Sequence, residues 1–279
     1  MDTKVIYHYT TQDALLNIID KEELWATDIF YLNDFNEVRL AIRLASEKLQ
    51  KMSESYSNED LFDRIDIASG LPIPSSKERL ALASMFRTIE TFDKRPIKIY
   101  VCSFSEKGDL LSQWRGYSRG DPACSIGCKF NVLAELASEK HFSLEKCIYE
   151  ESEQENDIRN ITKPIFNAIT EEDQNSRTHI TDNLKLLIRN LFKLAPTIKD
   201  TAFKEEEEWR LISTLEYDCK PKFRKGLSMI VPYVCFPIVT KEGKPIIDSI
   251  RISPLSHPEL SELSINSVKA LLESKGQCC

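Results

Sequence analysis

The chain lacks any apolar run approaching the roughly 20 residues that a membrane-spanning helix needs. Its first residues, Met1-Asp2-Thr3-Lys4-Val5-Ile6-Tyr7, hold no apolar signal segment. A cytoplasmic protein with no membrane partner is expected. A long basic run is also missing: 37 lysines and arginines stand against 44 aspartates and glutamates, for a net charge of -7. That balance argues against binding extended duplex nucleic acid through a broad electrostatic footprint and leaves room only for a local basic pocket. Histidine is scarce, with four in 279 residues, and Cys124 and Cys128 stand four apart in a strand-like segment, so neither number nor spacing suits zinc. No metal is expected. There is no internal repeat, and no low-complexity tract beyond the acidic run at 205–208.

What is present suits a globular protein. With 42% hydrophobic residues the chain is long enough to bury a substantial core, and one large domain or two small ones are both allowed. Of its eight cysteines, Cys102, Cys124, Cys128, Cys147 and Cys235 lie in apolar strand-like runs, where a free thiol behaves as a small hydrophobe. Reduced, buried thiols are expected; the terminal Cys278-Cys279 pair forms no lipidation motif.

Periodicity predicts a strand at 4–9, then a helix from Gln12 to Ile19 capped by Thr10 or Thr11, with Ala14, Leu15, Ile18 and Ile19 in one stripe. A short extended piece at 23–27, a turn at Tyr31-Leu32-Asn33-Asp34 and a helix at 36–52 follow. Residues 53–76 read as a linker with at most a short helix at 59–68, and 77–91 as a helix. Strands are predicted at 98–104, 123–130, 142–149, 206–215, 228–236 and 246–252. Helices are predicted at 109–115, 132–138, 151–170, 181–194 and 264–274. Strands separated by two helical blocks, about 36–95 and 151–195, rather than by regular βαβ units, predict an α+β fold.

Three segments carry chemistry. In Glu205-Glu206-Glu207-Glu208-Trp209-Arg210 the strand period of two predicts Glu206, Glu208 and Arg210 on one face and Glu207, Trp209 and Leu211 on the other. Taken alone, such a charged face is most often solvated. His8 lies between Tyr7 and Tyr9 at the end of the first strand, and Ser105 closes Ser103-Phe104-Ser105-Glu106; both have ordinary structural readings, as a satisfied histidine and a cap. In 109–117 a short helix predicts Asp109, Ser112 and Gln113 on one side, with Trp114, Arg115 and Tyr117 around Gly116. An arginine with aromatics beside a tight turn suits a planar anion such as a nucleotide, against a core anchor with a surface arginine.

Together, His8-Tyr9-Thr10, Leu24-Trp25, Leu32-Asn33-Asp34 with Glu37, Ser103-Phe104-Ser105, Asp109, Ser112-Gln113-Trp114-Arg115 with Tyr117, Gly127, Tyr149, Phe203 and Glu206 with Glu208-Trp209-Arg210 resemble a widespread bacterial domain family of unknown function. That family is thought to be related to the ADP-ribosyltransferase-like superfamily. The resemblance implies a single domain over 1–279, with split β-sheets around a cleft that holds NAD as substrate. It implies that His8 holds a ribose, that Ser103 or Ser105 braces the nicotinamide side, and that Glu208 supplies the catalytic carboxylate, with Glu206 orienting or activating an acceptor. Thr10 completes the first-strand motif. Breaking the nicotinamide–ribose bond passes through an oxocarbenium-like state, which such a carboxylate stabilises. Arg115 or Arg210 is expected to hold the pyrophosphate and Tyr9 or Tyr117 to stack on the nicotinamide. Arg210 also shares a face with both glutamates, so a static ion-pair network that leaves Glu208 structural is a second possibility. Asn33, Asp34 and Glu37 have no counterpart in the superfamily and read as a helix cap.

The function expected is NAD consumption, by ADP-ribosyl transfer to a macromolecular acceptor or partner protein, or by hydrolysis. The company such domains keep implies a toxin or phage-defence effector. The alternatives are a catalytically silent nucleotide-binding or sensing module, and a metal-dependent nuclease with Glu206, Glu208, Asp109 and Asp34 as ligands.

Overall fold

The computed structural model describes residues 4–32, 36–54, 64–65, 72–73, 81, 84–85, 87–89, 98–118, 122–170, 177–214, 217, 219–226, 228–255 and 257–275. The architecture is α+β, with two compact units: residues 1–31, 99–147 and 202–279 form unit 1, and residues 32–98 and 148–201 form unit 2. The stretches read as helical insertions are those gathered in unit 2.

Unit 1 is built on a nine-stranded sheet. Its strands are β1 (Val5–Thr11), β2 (Glu23–Asp28), β5 (Tyr100–Ser105), β6 (Ala123–Lys129), β7 (Phe142–Lys146), β8 (Glu208–Ser213), β9 (Lys222–Lys225), β10 (Ile230–Pro237) and β11 (Ile247–Ile252). The main path runs β11-β6-β1-β5-β2-β10-β9, and every pairing among these strands is antiparallel.

The sheet forks at β5. One edge pairs with β8 from Val101 to Ser105. The other edge is shared: Tyr100 and Val101 pair with Asp28 and Thr27 of β2, and Ser105 pairs with Tyr7 of β1. Residues 102–104 on that edge therefore pair with neither β1 nor β2, the two strands that α1 (Gln12–Lys21) connects. Thr11, the further of the two expected caps, starts α1 by accepting from the Ala14 amide at 3.2 Å, and Glu22 ends it with a left-handed φ of 53°. Leu15, Ile18 and Ile19 then turn to the core.

That core joins α1 to the inward faces of β1 (Ile6), β2 (Leu24, Ala26), β5 (Tyr100, Cys102, Phe104), β6 (Cys124, Ile126, Cys128), β8 (Leu211) and β10 (Val234, Phe236). Leu133, Leu136 and Ala137 of α4 (Phe130–Glu139) add to it. Cys102, Cys124, Cys128 and Cys147 are buried thiols outside any disulfide, as expected, whereas Cys235 is only half-buried. Burial raises the Cys102 thiol to about 12 and Cys124 to about 11, so both stay protonated.

Unit 2 holds α2 (Asn36–Glu54), α5 (Glu151–Thr170) and α6 (Arg177–Leu194), with Ala41, Ala45 and Leu49 buried four apart on α2. The linker read over 53–76 contains a two-stranded ribbon of β3 (Arg64–Ile65) and β4 (Pro72–Ile73) rather than only a short helix. Of the helix predicted at 77–91, positions 81, 84–85 and 87–89 are helical, and the others lie outside the described residues. Among the described residues no helix is long and apolar enough to cross a membrane.

Candidate functional site

The strand predicted from residue 206 starts later. Residues Thr201–Glu206 form a 3-10 helix, Glu207 takes a left-handed φ of 43°, and β8 begins at Glu208. Glu206 therefore does not share a strand face with Glu208. Its carbonyl, at the end of the 3-10 turn, accepts from the Ser105 hydroxyl at 2.6 Å, and the Glu207 carbonyl accepts from the Glu106 amide at 3.1 Å. These bonds fix the strand's start.

From Glu208 onward the period of two holds. Trp209 and Leu211 face the core, and Glu208 and Arg210 lie on the other face. Both are buried, at 4% and 2% exposure, in a two-point ion pair with Nε to Oε1 at 2.8 Å and Nη2 to Oε2 at 3.2 Å. That pair orients the carboxylate and offsets most of its charge.

The register places the other expected residues. Ser105 lies across from Glu208 on one side and Tyr7 on the other, and Ser103 lies across from Arg210. Tyr7, Tyr9, Ser103, Ser105, Glu208 and Arg210 thus share one face. His8 does not: it pairs with Ile126 and lies on the core face with Ile6. Its Nδ1–H donates to the Ser103 carbonyl at 2.9 Å, in the gap of the fork, and its ring tilts against Phe104 at 5.6 Å. Burial lowers the His8 pKa, outweighing the opposing effect of the Ser103 carbonyl, so the ring is neutral with Nδ1 protonated. The Cys102 sulfur is 3.6 Å away, but a thiol held up at about 12 beside a neutral imidazole is no activated nucleophile. Thr10 is buried opposite Cys124. The Ser105 hydroxyl, besides donating to Glu206, accepts from the Lys107 amide at 3.0 Å, which leaves it structural. His8 and Glu208 thus lie on opposite faces of the sheet.

It does assemble an aromatic cluster. The helix predicted at 109–115 is α3 (Leu111–Tyr117), two residues later, so Asp109 precedes it instead of sharing a side with Ser112 and Gln113. Asp109 accepts the Trp114 indole N–H at 2.7 Å. Trp114 packs edge-on to Tyr9 at 4.9 Å, and Tyr117 stacks on Tyr9 at 6.3 Å with 28° between the rings. The Tyr9 hydroxyl donates to the Lys107 carbonyl at 2.8 Å and accepts from the Leu110 amide at 2.9 Å, tying β1 to the loop before α3. Tyr9 is buried, whereas Tyr117 is 37% exposed, and Arg115 is exposed next to Trp114. Arg251 of β11 donates to the Tyr7 hydroxyl at 3.1 Å and lies 4.7 Å from its ring centre. A glycine is required at 108, where a Cβ would come within 2.5 Å of the Tyr7 ring.

Sequence reasoning missed Arg251, Arg224 on β9 and the anchor Glu106. Lys222-Phe223-Arg224-Lys225 holds a single apolar residue, so β9 left no alternation to read. Asn33 and Asp34 lie outside the described residues, as does the Glu37 side chain and the Cys278-Cys279 pair. Among the described residues no three His, Cys, Asp or Glu side chains gather as a metal site.

No curated protein and no solved structure gives a match. Residues 113–211, from α3 to β8, match the model of the family described as Protein of unknown function (DUF2971), so this part of the chain is similar to a domain family of unknown function.

Proposed function

We propose that unit 1 is a nucleotide-binding module whose ligand is NAD or a related nucleotide, held on the face that carries Tyr7, Tyr9, Trp114 and Tyr117. The stack of the exposed Tyr117 on the anchored Tyr9 carries this reading. A ring fixed from below by Tyr9 offers a planar base a platform with little ordering cost. Arg115 of α3 and Arg251 of β11 add positive charge that attracts an anionic ligand to this face. The buried Glu208–Arg210 pair favours binding without turnover, since both carboxylate oxygens are engaged.

The second reading, NAD consumption by ADP-ribosyl transfer or hydrolysis, is favoured by one observation. The segments with His8, with Ser103 and Ser105, and with Glu208 occupy three adjacent strands, β1, β5 and β8. In that reading Glu208 leaves part of its bond to Arg210 and accepts from a ribose hydroxyl, stabilising the oxocarbenium-like state. The nuclease reading has little geometric support, because Asp109 is committed to Trp114 and Glu206 ends a 3-10 turn.

Incubating the full chain with NAD and following both bound NAD and released nicotinamide separates the readings. Binding without release supports the module. Release that disappears in Glu208→Gln supports consumption. Neither binding nor release overturns both.

A further inference from the structure

The strand β9 pairs with β10 alone, and it sets Arg224 opposite Val231. In the same register Tyr233 pairs with both Lys222 and Thr27, and Thr27 pairs with Val101. Alternation along these strands puts Arg224, Thr27 and Tyr233 on the face that carries Ser103, Tyr9 and Tyr117.

Arg224 is half-buried. Its Nη2 donates to the Thr27 hydroxyl at 3.0 Å, while its Nε, shielded from solvent, has no hydrogen-bond partner among the described residues. No carboxylate among the described residues forms an ion pair with it. Burial lowers its pKa from the ordinary value, and the phenols of Tyr233 and Tyr117, close enough to act electrostatically, work in the opposite sense. A partly desolvated guanidinium without a carboxylate is costly unless an anion completes it. Its fork suits phosphate oxygens in two-point contact.

We propose that Arg224 is the phosphate-binding residue of this face, taking a phosphate of a nucleotide whose base lies on Tyr117. The assignment rests on the nucleotide-binding reading for the class of ligand, and on Arg224 itself for the anion. Thr27 holds the guanidinium in place through Nη2, and the phosphate of the ligand supplies the missing negative charge.

The test titrates the full chain calorimetrically with adenosine, ADP and inorganic pyrophosphate, using wild type, Arg224→Gln and Arg224→Lys. Wild type is expected to bind ADP at least ~10-fold more tightly than adenosine. Arg224→Gln is expected to bring ADP down to the adenosine level and to abolish pyrophosphate binding, with adenosine unchanged. If Arg224→Gln loses its cooperative thermal transition, Arg224→Lys decides: it keeps the charge and loses the fork, so a several-fold loss for pyrophosphate supports the proposal and an unchanged affinity overturns it. ADP binding that ignores Arg224, or equals adenosine binding in wild type, overturns the assignment and leaves the nucleotide reading standing. Pyrophosphate binding that needs Arg224, without adenosine or ADP binding, keeps the anion site and removes the nucleotide reading. Absence of all three removes both.

Discussion

At the scale of single residues, the decisive group is Arg210. It is among the largest fully buried side chains, and it holds Glu208 at 2.8 Å from within the same strand. Removing one partner strips the other buried charge of this ion pair, so Arg210→Met is expected to cost about 3–5 kcal/mol of stability. Urea unfolding checks this, and Arg210→Met combined with Glu208→Leu should cost less than the sum of the two single changes. A loss below about 1 kcal/mol for Arg210→Met would show the pair to be solvated. The shared face of Glu208 and Arg210 was legible because strand alternation needs only Trp209 and Leu211 as core markers. The placement of Glu206 was not legible, because it depends on a left-handed glutamate at 207, a conformation for which a glutamate gives no local signal. His8 shows a related limit. Its place at the end of β1 was readable, but its face depends on pairing with Ile126, more than a hundred residues away.

At the scale of elements, the loop between β5 and α3 is anchored by Glu106. Its Oε1 accepts from the Trp209 indole at 2.7 Å, from Lys4 at 2.9 Å and from Lys146 at 3.1 Å. Partial burial alone would raise this carboxyl, but the bonds from Trp209, Lys4 and Lys146 outweigh it and hold the pKa at about 2, below the ordinary 4.5. A depressed carboxyl contributes stability that is present above the unfolded value and lost as pH falls through the folded one. Stability from this anchor is therefore expected to drain between about 4.5 and about 2. Tryptophan-monitored unfolding across that window should show a steeper fall for wild type than for Glu106→Gln; parallel slopes would contradict the anchoring role. Elements with a buried stripe, such as α1 with Leu15, Ile18 and Ile19, were readable to within a residue or two. The strand β9 was not, since Phe223, its one apolar residue, is 65% exposed and no alternation of burial marks it. The same reason hid Arg224.

At the scale of the whole molecule, the α+β class was legible because strand-like and helix-like stretches segregate along the chain, and unit 2 collects the two helical stretches at 32–98 and 148–201. The fork at β5 was beyond reach, because it depends on two strands meeting one edge at different ends. A net charge of -7 leaves any anionic ligand to be drawn by local arginines, not by the whole field. The most direct measurement is calorimetric titration of the full chain with NAD, wild type against Tyr117→Ala. Saturable binding by wild type, weakened ~10-fold in Tyr117→Ala through loss of the stacking platform, is the predicted result. Absence of binding by wild type, or equal affinity in the two, would contradict a nucleotide site on this face.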